Sequence, residues 1–261
     1  MNLFSTPNQC ARYNMLSFLK NHPFAVEAFF ERSIVLTFAV PQAALGDMIP
    51  ACLTLDTFDD KWAFIAVAMV RTTGLRPKGF PAFSGHDFFL IGYRIFVRYT
   101  SNSGKRLRGL YILKSETDKM KMQVLGNIFT QYRYTTTDIT QTVAGTRTTI
   151  KSIRSGLDIT FEEPQEDGTP LPAGSPFADW SQARRFAGPL PFTFTYNPGK
   201  RQVLIIEGVR QNWTPKPIAV SEHHISFLAG LLPDKCVLAN AFIIRNIPYH
   251  WKKGRTEIWN G

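Results

Sequence analysis

The sequence predicts a β-rich α+β domain in which many strands accompany one main helix. Three observations predict it. Phe is over-used, at 21 residues, and recurs with Ile, Val and Thr, the side chains that pack well on a pleated, half-buried surface. Such segments return at short intervals between Gly, Pro, Asn and Asp turns. One stretch breaks that rhythm with apolar residues at helical spacing.

The elements follow in order. Residues 14–19 read as a short helix ended by the His22-Pro23 step, because the residue before proline is pushed out of the helical region. Residues 34–40 form an apolar strand closed by Pro41. A second strand at 53–57 follows Ile49-Pro50, and the Asp59-Asp60 turn leads to a third at 62–70. That strand holds the longest apolar run, residues 63–70, far too short to span a bilayer. Ser84-Gly85 precedes a strand at 88–99, where Ile95, Val97 and Tyr99 alternate with Arg94, Phe96 and Arg98. The alternation gives one apolar and one mixed face. Asn102-Ser103-Gly104 then turns the chain into a strand at 108–113.

Residues 116–129 are the main helix. Met120, Val124, Leu125 and Ile128 form its apolar stripe. Ser115 is the expected N-cap, with Glu116 and Asp118 where the helix dipole favours carboxylates. Strands return at 132–140, 146–153 and 157–161. Residues 162–176, acidic and rich in Pro and Gly, read as a surface loop within a single domain spanning 1–261. Further strands are expected at 192–196, 203–213, 237–245 and 257–259, with a short helix at 227–232. Many strands and one central helix point to a closed sheet.

Composition excludes several classes. The net charge of +10 attracts anions, but the basic residues are scattered beside Gly and Asn-Pro, the pattern of solvated loops and not of a nucleic-acid footprint. Cys10, Cys52 and Cys236 are dispersed, which is neither a disulfide framework nor zinc spacing. A reducing cytosol fits such usage. No charged start followed by a long apolar core marks a signal peptide, so a cytoplasmic protein without a membrane partner is expected. No glycine pattern cradles a phosphate, and no nucleotide or other cofactor is expected. His223 and His224 beside Glu222 alternate faces if extended, so no metal site is expected. His86-Asp87 could orient an imidazole, but no nucleophile motif accompanies it. Cys52 reads as packing.

Arg32 and Arg94 are the candidate ligand-binding residues. An arginine within a half-buried strand costs free energy unless paired, and its fork suits a carboxylate. For Arg32 the alternative is an internal salt bridge with a residue such as Glu207. For Arg94 the alternative is a wet face shared with Arg98.

The order of several short segments carries a resemblance. Arg32 precedes the first long strand, followed by Val40-Pro41, Leu45, Ile49-Pro50 and Leu53-Thr54-Leu55. Then come Ala68-Met69, Thr72-Thr73-Gly74-Leu75, Tyr93-Arg94-Ile95-Phe96-Val97 and Arg108-Gly109-Leu110-Tyr111. Ala183-Arg184-Arg185-Phe186 and Trp213-Thr214-Pro215-Lys216-Pro217 complete the series. Over residues 31–217 the chain resembles the uncharacterised YqjF-like branch of the acetoacetate-decarboxylase-like superfamily. The resemblance implies a cone-like, closed antiparallel β-barrel with a buried cavity, one main helix packed beside it and a few short helices.

It also implies chemistry. In the decarboxylases a lysine forms an imine with a β-keto acid, and a neighbouring lysine depresses its pKa. Lys119 and Lys121 lie nearest that pair and are the candidate catalytic residues. Met120 separates them, however, and residues two apart on a helix do not share a face. Asp118 stands where the family has proline, and Thr100-Ser101-Asn102-Ser103 lacks the family's acid. An arginine at the position matching Arg32 binds the carboxylate in the family.

The resulting expectation is a barrel that holds a small-molecule carboxylate or keto acid. An activity, were there one, would be that of a lysine-imine lyase. The alternatives are a non-enzymatic binding or scaffold protein with a vestigial cavity and, third, a basic nucleic-acid-binding protein. The resemblance adds a homo-oligomer, although no segment of the sequence marks an interface.

Overall fold

The computed structural model describes residues 19–163, 168–211, 213–233 and 235–261. Cys10 and residues 14–18 of the expected first helix lie outside them.

In chain order the strands and helices are β1 (Val26–Pro41), β2 (Thr54–Leu55), β3 (Trp62–Pro77), β4 (His86–Thr100), β5 (Arg106–Thr117) and α1 (Met120–Phe129). Then follow β6 (Tyr134–Thr136), β7 (Thr140–Ala144), β8 (Arg147–Ser152), β9 (Leu157–Glu162), α2 (Trp180–Ala187), β10 (Phe192–Asn197) and β11 (Gln202–Arg210). The last are β12 (Lys216–Pro217), β13 (Ala219–Ile225), α3 (Ser226–Leu231), β14 (Val237–Trp251) and β15 (Arg255–Ile258).

Seven of these strands form a ring in the order β14-β1-β3-β4-β5-β10-β11, which closes where Gly208–Arg210 of β11 pair with Tyr249–Trp251 of β14. The architecture is barrel-like, as expected. One junction, β5 with β10, is parallel, where an antiparallel barrel was expected. A separate four-stranded sheet, β13-β9-β8-β7, covers one face of the ring strands. Ile34, Leu36 and Phe38 of β1 join Ile150, Ile159 and Phe161 of that sheet in the largest apolar core.

Two bulges decide which side chains face which way. Phe30 pairs with Thr72 and Arg32 with Arg71, so Glu31 is an extra residue in β1. Tyr93 pairs with Lys114 and Arg94 with Ile112, so Leu113 is an extra residue in β5. Side chains alternate across a strand, and one inserted residue reverses the alternation beyond it. Phe30 therefore faces the ring cavity, while after the bulge Ser33 and Val35 do. Leu110 and Ile112 face the cavity, while after the second bulge Ser115 does.

The second bulge also corrects the helix start. Ser115 is not an N-cap. It lies buried in β5, as does Glu116, and α1 begins only at Met120. Glu116 accepts from Tyr93 Oη at 3.0 Å and from Ser155 Oγ at 2.8 Å and pairs with Lys114 at 2.7 Å. A carboxylate with three partners can be buried, and this outweighs the helical signal of its sequence neighbours. The expected stripe holds only in part: Leu125 lines the cavity, but Met120 and Val124 are exposed, and Met122 and Gly126 are buried instead.

Helix α2 was not anticipated. Asp179 caps it by accepting from Gln182 N at 2.7 Å, and its buried face is only Ala183 and Ala187. Phe186 of α2 and Phe177 ahead of it pack with Phe64 and Phe96, filling one end of the ring with aromatic side chains.

Candidate functional site

A cavity of about 540 Å³ is lined by side chains from all seven ring strands, by α1 and by the segment after α2. Its wall is mostly aliphatic and aromatic. No Asp, Glu or Lys is among the lining residues, which include Arg76, Arg94 and Arg210. Arg76 is compensated by Glu27 at 2.8 Å. The other two have no carboxylate partner among the described residues.

Arg94 comes from β4, on the face that alternation turns inward. Gly92 makes room for it: a Cβ there would stand 2.9 Å from Arg94 Nε and Nη2. The guanidinium thus lies back along its own strand, and its Nε is buried without a hydrogen-bond partner. Arg210, at the end of β11, donates to the Pro189 carbonyl, lies over the Trp213 ring at 5.3 Å and is within electrostatic reach of Tyr249. Its Nε also lacks a partner. Gly208 is required here because a Cβ would collide with Tyr249 Oη.

Three tyrosines share the chamber. Tyr132 Oη lies 2.8 Å from Thr193 Oγ1, and Tyr134 is held through Asn127, whose Oδ1 accepts from Tyr134 N at 2.8 Å. The charge of Arg94 reaches Tyr132, Tyr134 and Tyr249, and that of Arg210 reaches Tyr249. Burial pushes all three phenols upward, Tyr134 to about 12, against the opposing pull of Arg94. They are neutral donors at physiological pH. Burial pulls Arg210 downward, and Tyr249 opposes it. The arrangement offers two guanidinium groups and neutral hydroxyls inside an apolar wall, the chemistry that holds an anion with an apolar body.

The other sequence candidates lie elsewhere. The Glu31 bulge turns Arg32 away from the cavity into a crevice of about 400 Å³ that it shares with Thr146, Glu163 and Arg245. With its amide oriented to satisfy both groups, Gln141 Oε1 accepts from Arg32 Nη1 and Nη2 at 2.8 and 2.9 Å. The expected partner Glu207 pairs instead with Lys252 at 2.9 Å. Lys119 and Lys121 are exposed, and Lys119 Nζ is 3.6 Å from Asp118. The Leu113 bulge likewise sends Lys114 away from the cavity, where it pairs with Glu116 and lies over the Tyr93 and Phe227 rings. Arg98 lies on the Arg94 face of β4 but outside the cavity lining, and it binds the buried Asp56 at 2.6 Å.

Glu222, His223 and His224 lie on β13 and diverge. Glu222 approaches Arg147 at 3.5 Å, His223 packs edge-on against Phe38 and His224 meets Ser226 at 3.1 Å. No group of three metal-ligating side chains occurs among the described residues. No helix among them is long and apolar enough to cross a membrane.

Burial raises the Cys52 thiol to about 11. Since the thiolate is the nucleophile, Cys52 in the native protein is expected to resist iodoacetamide at pH 8 and to react only on unfolding. Mass mapping of the alkylated sites checks this, and rapid native labelling would show that the pocket around Cys52 opens.

Sequence reasoning missed Arg210 and the three tyrosines. Arg210 stood inside the expected strand at 203–213, where an unpaired arginine carries the same cost as Arg94. Tyr249 fell beyond the expected strand end at residue 245, because Pro248 discouraged an extension; in the fold Pro248 stands opposite Phe29 of β1, just ahead of the pairing of Tyr249–Trp251 with β11.

The family model of DUF2071, described as an uncharacterized conserved protein, matches residues 28–235. No curated protein matches the chain. Among solved structures, acetoacetate decarboxylase from Legionella pneumophila is similar at 12% identity and TM-score 0.58, over 90% of this chain and 88% of that one. An acetoacetate decarboxylase-like enzyme from Sphingomonas wittichii RW1 is similar at 10% identity and TM-score 0.55, over 92% and 95%. The enduracididine biosynthesis enzyme MppR, complexed with the condensation product of pyruvate and imidazole 4-carboxaldehyde, is similar at 9% identity and TM-score 0.52, over 90% and 89%. At these identities the likeness is one of fold.

Proposed function

The chain belongs to the DUF2071 family and has an acetoacetate decarboxylase-like fold, and from that premise we propose that it binds a small organic carboxylate in the ring cavity, with Arg94 as the anchor. One observation carries the reading: Arg94 enters an apolar chamber with its Nε buried and no partner. A half-buried cation with its Nε sealed from water and no counter-charge is costly, and a bound carboxylate supplies two acceptors in the geometry that the guanidinium fork matches. The fold neighbour complexed with a pyruvate-derived product supports a keto acid or related acid as the class to test first.

The reading is one of binding. Lysine-imine chemistry needs an amine beside the ligand, and no lysine is among the cavity-lining residues. In a thermal-shift screen, keto acids and aromatic or branched monocarboxylates are expected to stabilise the protein saturably, by about 2.7 kcal/mol at a hundred times Kd. The Lys119→Ala/Lys121→Ala double variant should respond as the parent does, and Arg94→Ala should not respond. A stabilisation that survives Arg94→Ala places the ligand elsewhere and ends the proposal.

A further inference from the structure

The cavity holds two uncompensated cations, not one, and they stand on different walls. Arg94 is on β4 and Arg210 on β11, with β5 and β10 between them around the ring. Three of the seven inter-strand spacings separate them, which puts the two strands on nearly opposite walls of the ring. Each guanidinium is fixed by its own surroundings. Arg94 lies over Gly92, whereas Arg210 is held by the Pro189 carbonyl and the Trp213 ring. Tyr249 lies within electrostatic reach of both. One carboxylate on Arg94 leaves Arg210 with its Nε unpartnered in the same low-dielectric space. A single compact dianion, such as a phosphate, would draw the two forks to one point, against the separate anchoring of each.

Building on the carboxylate-binding reading, we infer that the ligand is a dicarboxylate, with one acid on Arg94 and the other on Arg210, and an apolar skeleton between them. The aliphatic and aromatic wall contacts the skeleton, and the neutral tyrosine hydroxyls donate to carboxylate oxygens left free by the forks. Two charged ends also make the fit length-selective, since a skeleton that is too short satisfies only one arginine.

Calorimetry with matched pairs tests this: straight-chain and aromatic dicarboxylates of increasing length, the half-amide of each, and a phosphate monoester. The expected result is a length optimum at which the dicarboxylate binds at least tenfold more tightly than its half-amide. Arg210→Met should abolish that preference while retaining half-amide binding, and circular dichroism should report the same fold. Equal affinity for diacid and half-amide overturns the inference and leaves the carboxylate reading standing. Tighter binding of the phosphate monoester than of any dicarboxylate also overturns it, since both charges then converge on one group. If no carboxylate binds at any length, the carboxylate reading itself fails, and the inference with it.

Discussion

Asp56→Ala is expected to destabilise the protein by about 3 kcal/mol, a fall in Tm of roughly 6–12 °C for a chain of this size. Asp56 is fully buried and accepts from Arg98 Nε and Arg108 Nε, each at 2.6 Å. Its own N–H donates to the Phe96 carbonyl at 3.0 Å. One carboxylate therefore fastens the segment after β2 to both β4 and β5. Arg108 extends the connection by donating to the Phe186 carbonyl at 3.0 Å and lying over the Phe186 ring, which links the carboxylate to the aromatic end of the ring. Removing Asp56 leaves two guanidinium groups side by side without a counter-charge. Both are about one-third exposed, so solvent screens part of their repulsion, and the lower end of the range for broken buried pairs applies. Asp56→Asn should cost nearly as much, because its amide nitrogen would face one of the two donors. Urea denaturation with an unchanged m-value checks the assignment. A loss below about 1 kcal/mol would mean that the desolvation of Asp56 already cancels its pairing.

Much of the fold was legible in the sequence, and the residues that were misread share one physical cause. Strand cores at 34–40, 62–70 and 88–99 lie inside β1, β3 and β4, because long apolar runs between strong turn residues leave few alternatives. What local pattern cannot show is an inserted residue. Neither Glu31 nor Leu113 carries a Gly or Pro signal, yet each reverses the parity beyond it. The first bulge takes Arg32 out of the cavity, and the second takes Lys114 out and brings Ser115 in. Register is a property of the paired strands, and only the pairing exposes it. Arg94 was legible because it precedes no bulge within β4 and its alternation with Ile95 holds. Helix α2 was missed because its buried face is made of two alanines, which give no hydrophobic stripe; Asp179 followed by Gln182 was the available signal.

Arg94→Met is expected to make the ligand-free protein more stable by about 1 kcal/mol while removing its response to carboxylates. The two effects have one origin. The guanidinium stands in the ring cavity with its Nε buried and unpartnered, and the described residues give it no carboxylate. Methionine fills a similar length, packs against Ala66, Ala68 and Phe96 of the same wall, and needs no solvation. Arg94 is half-buried, and replacing a partly desolvated charge that has no counter-ion by an apolar side chain of similar volume removes a desolvation cost. The gain is modest because the cavity is wide enough to admit water to the guanidinium. A charge retained at that cost is what the proposed anchor role predicts. Scanning calorimetry of the two proteins, with and without a saturating carboxylate, separates the contributions. The parent should be the less stable without ligand and the more stable with it, so the order of the two Tm values reverses on titration. A variant that is less stable in both conditions would show that Arg94 already has a structural partner in the empty cavity, and the anchor role would have to pass to Arg210.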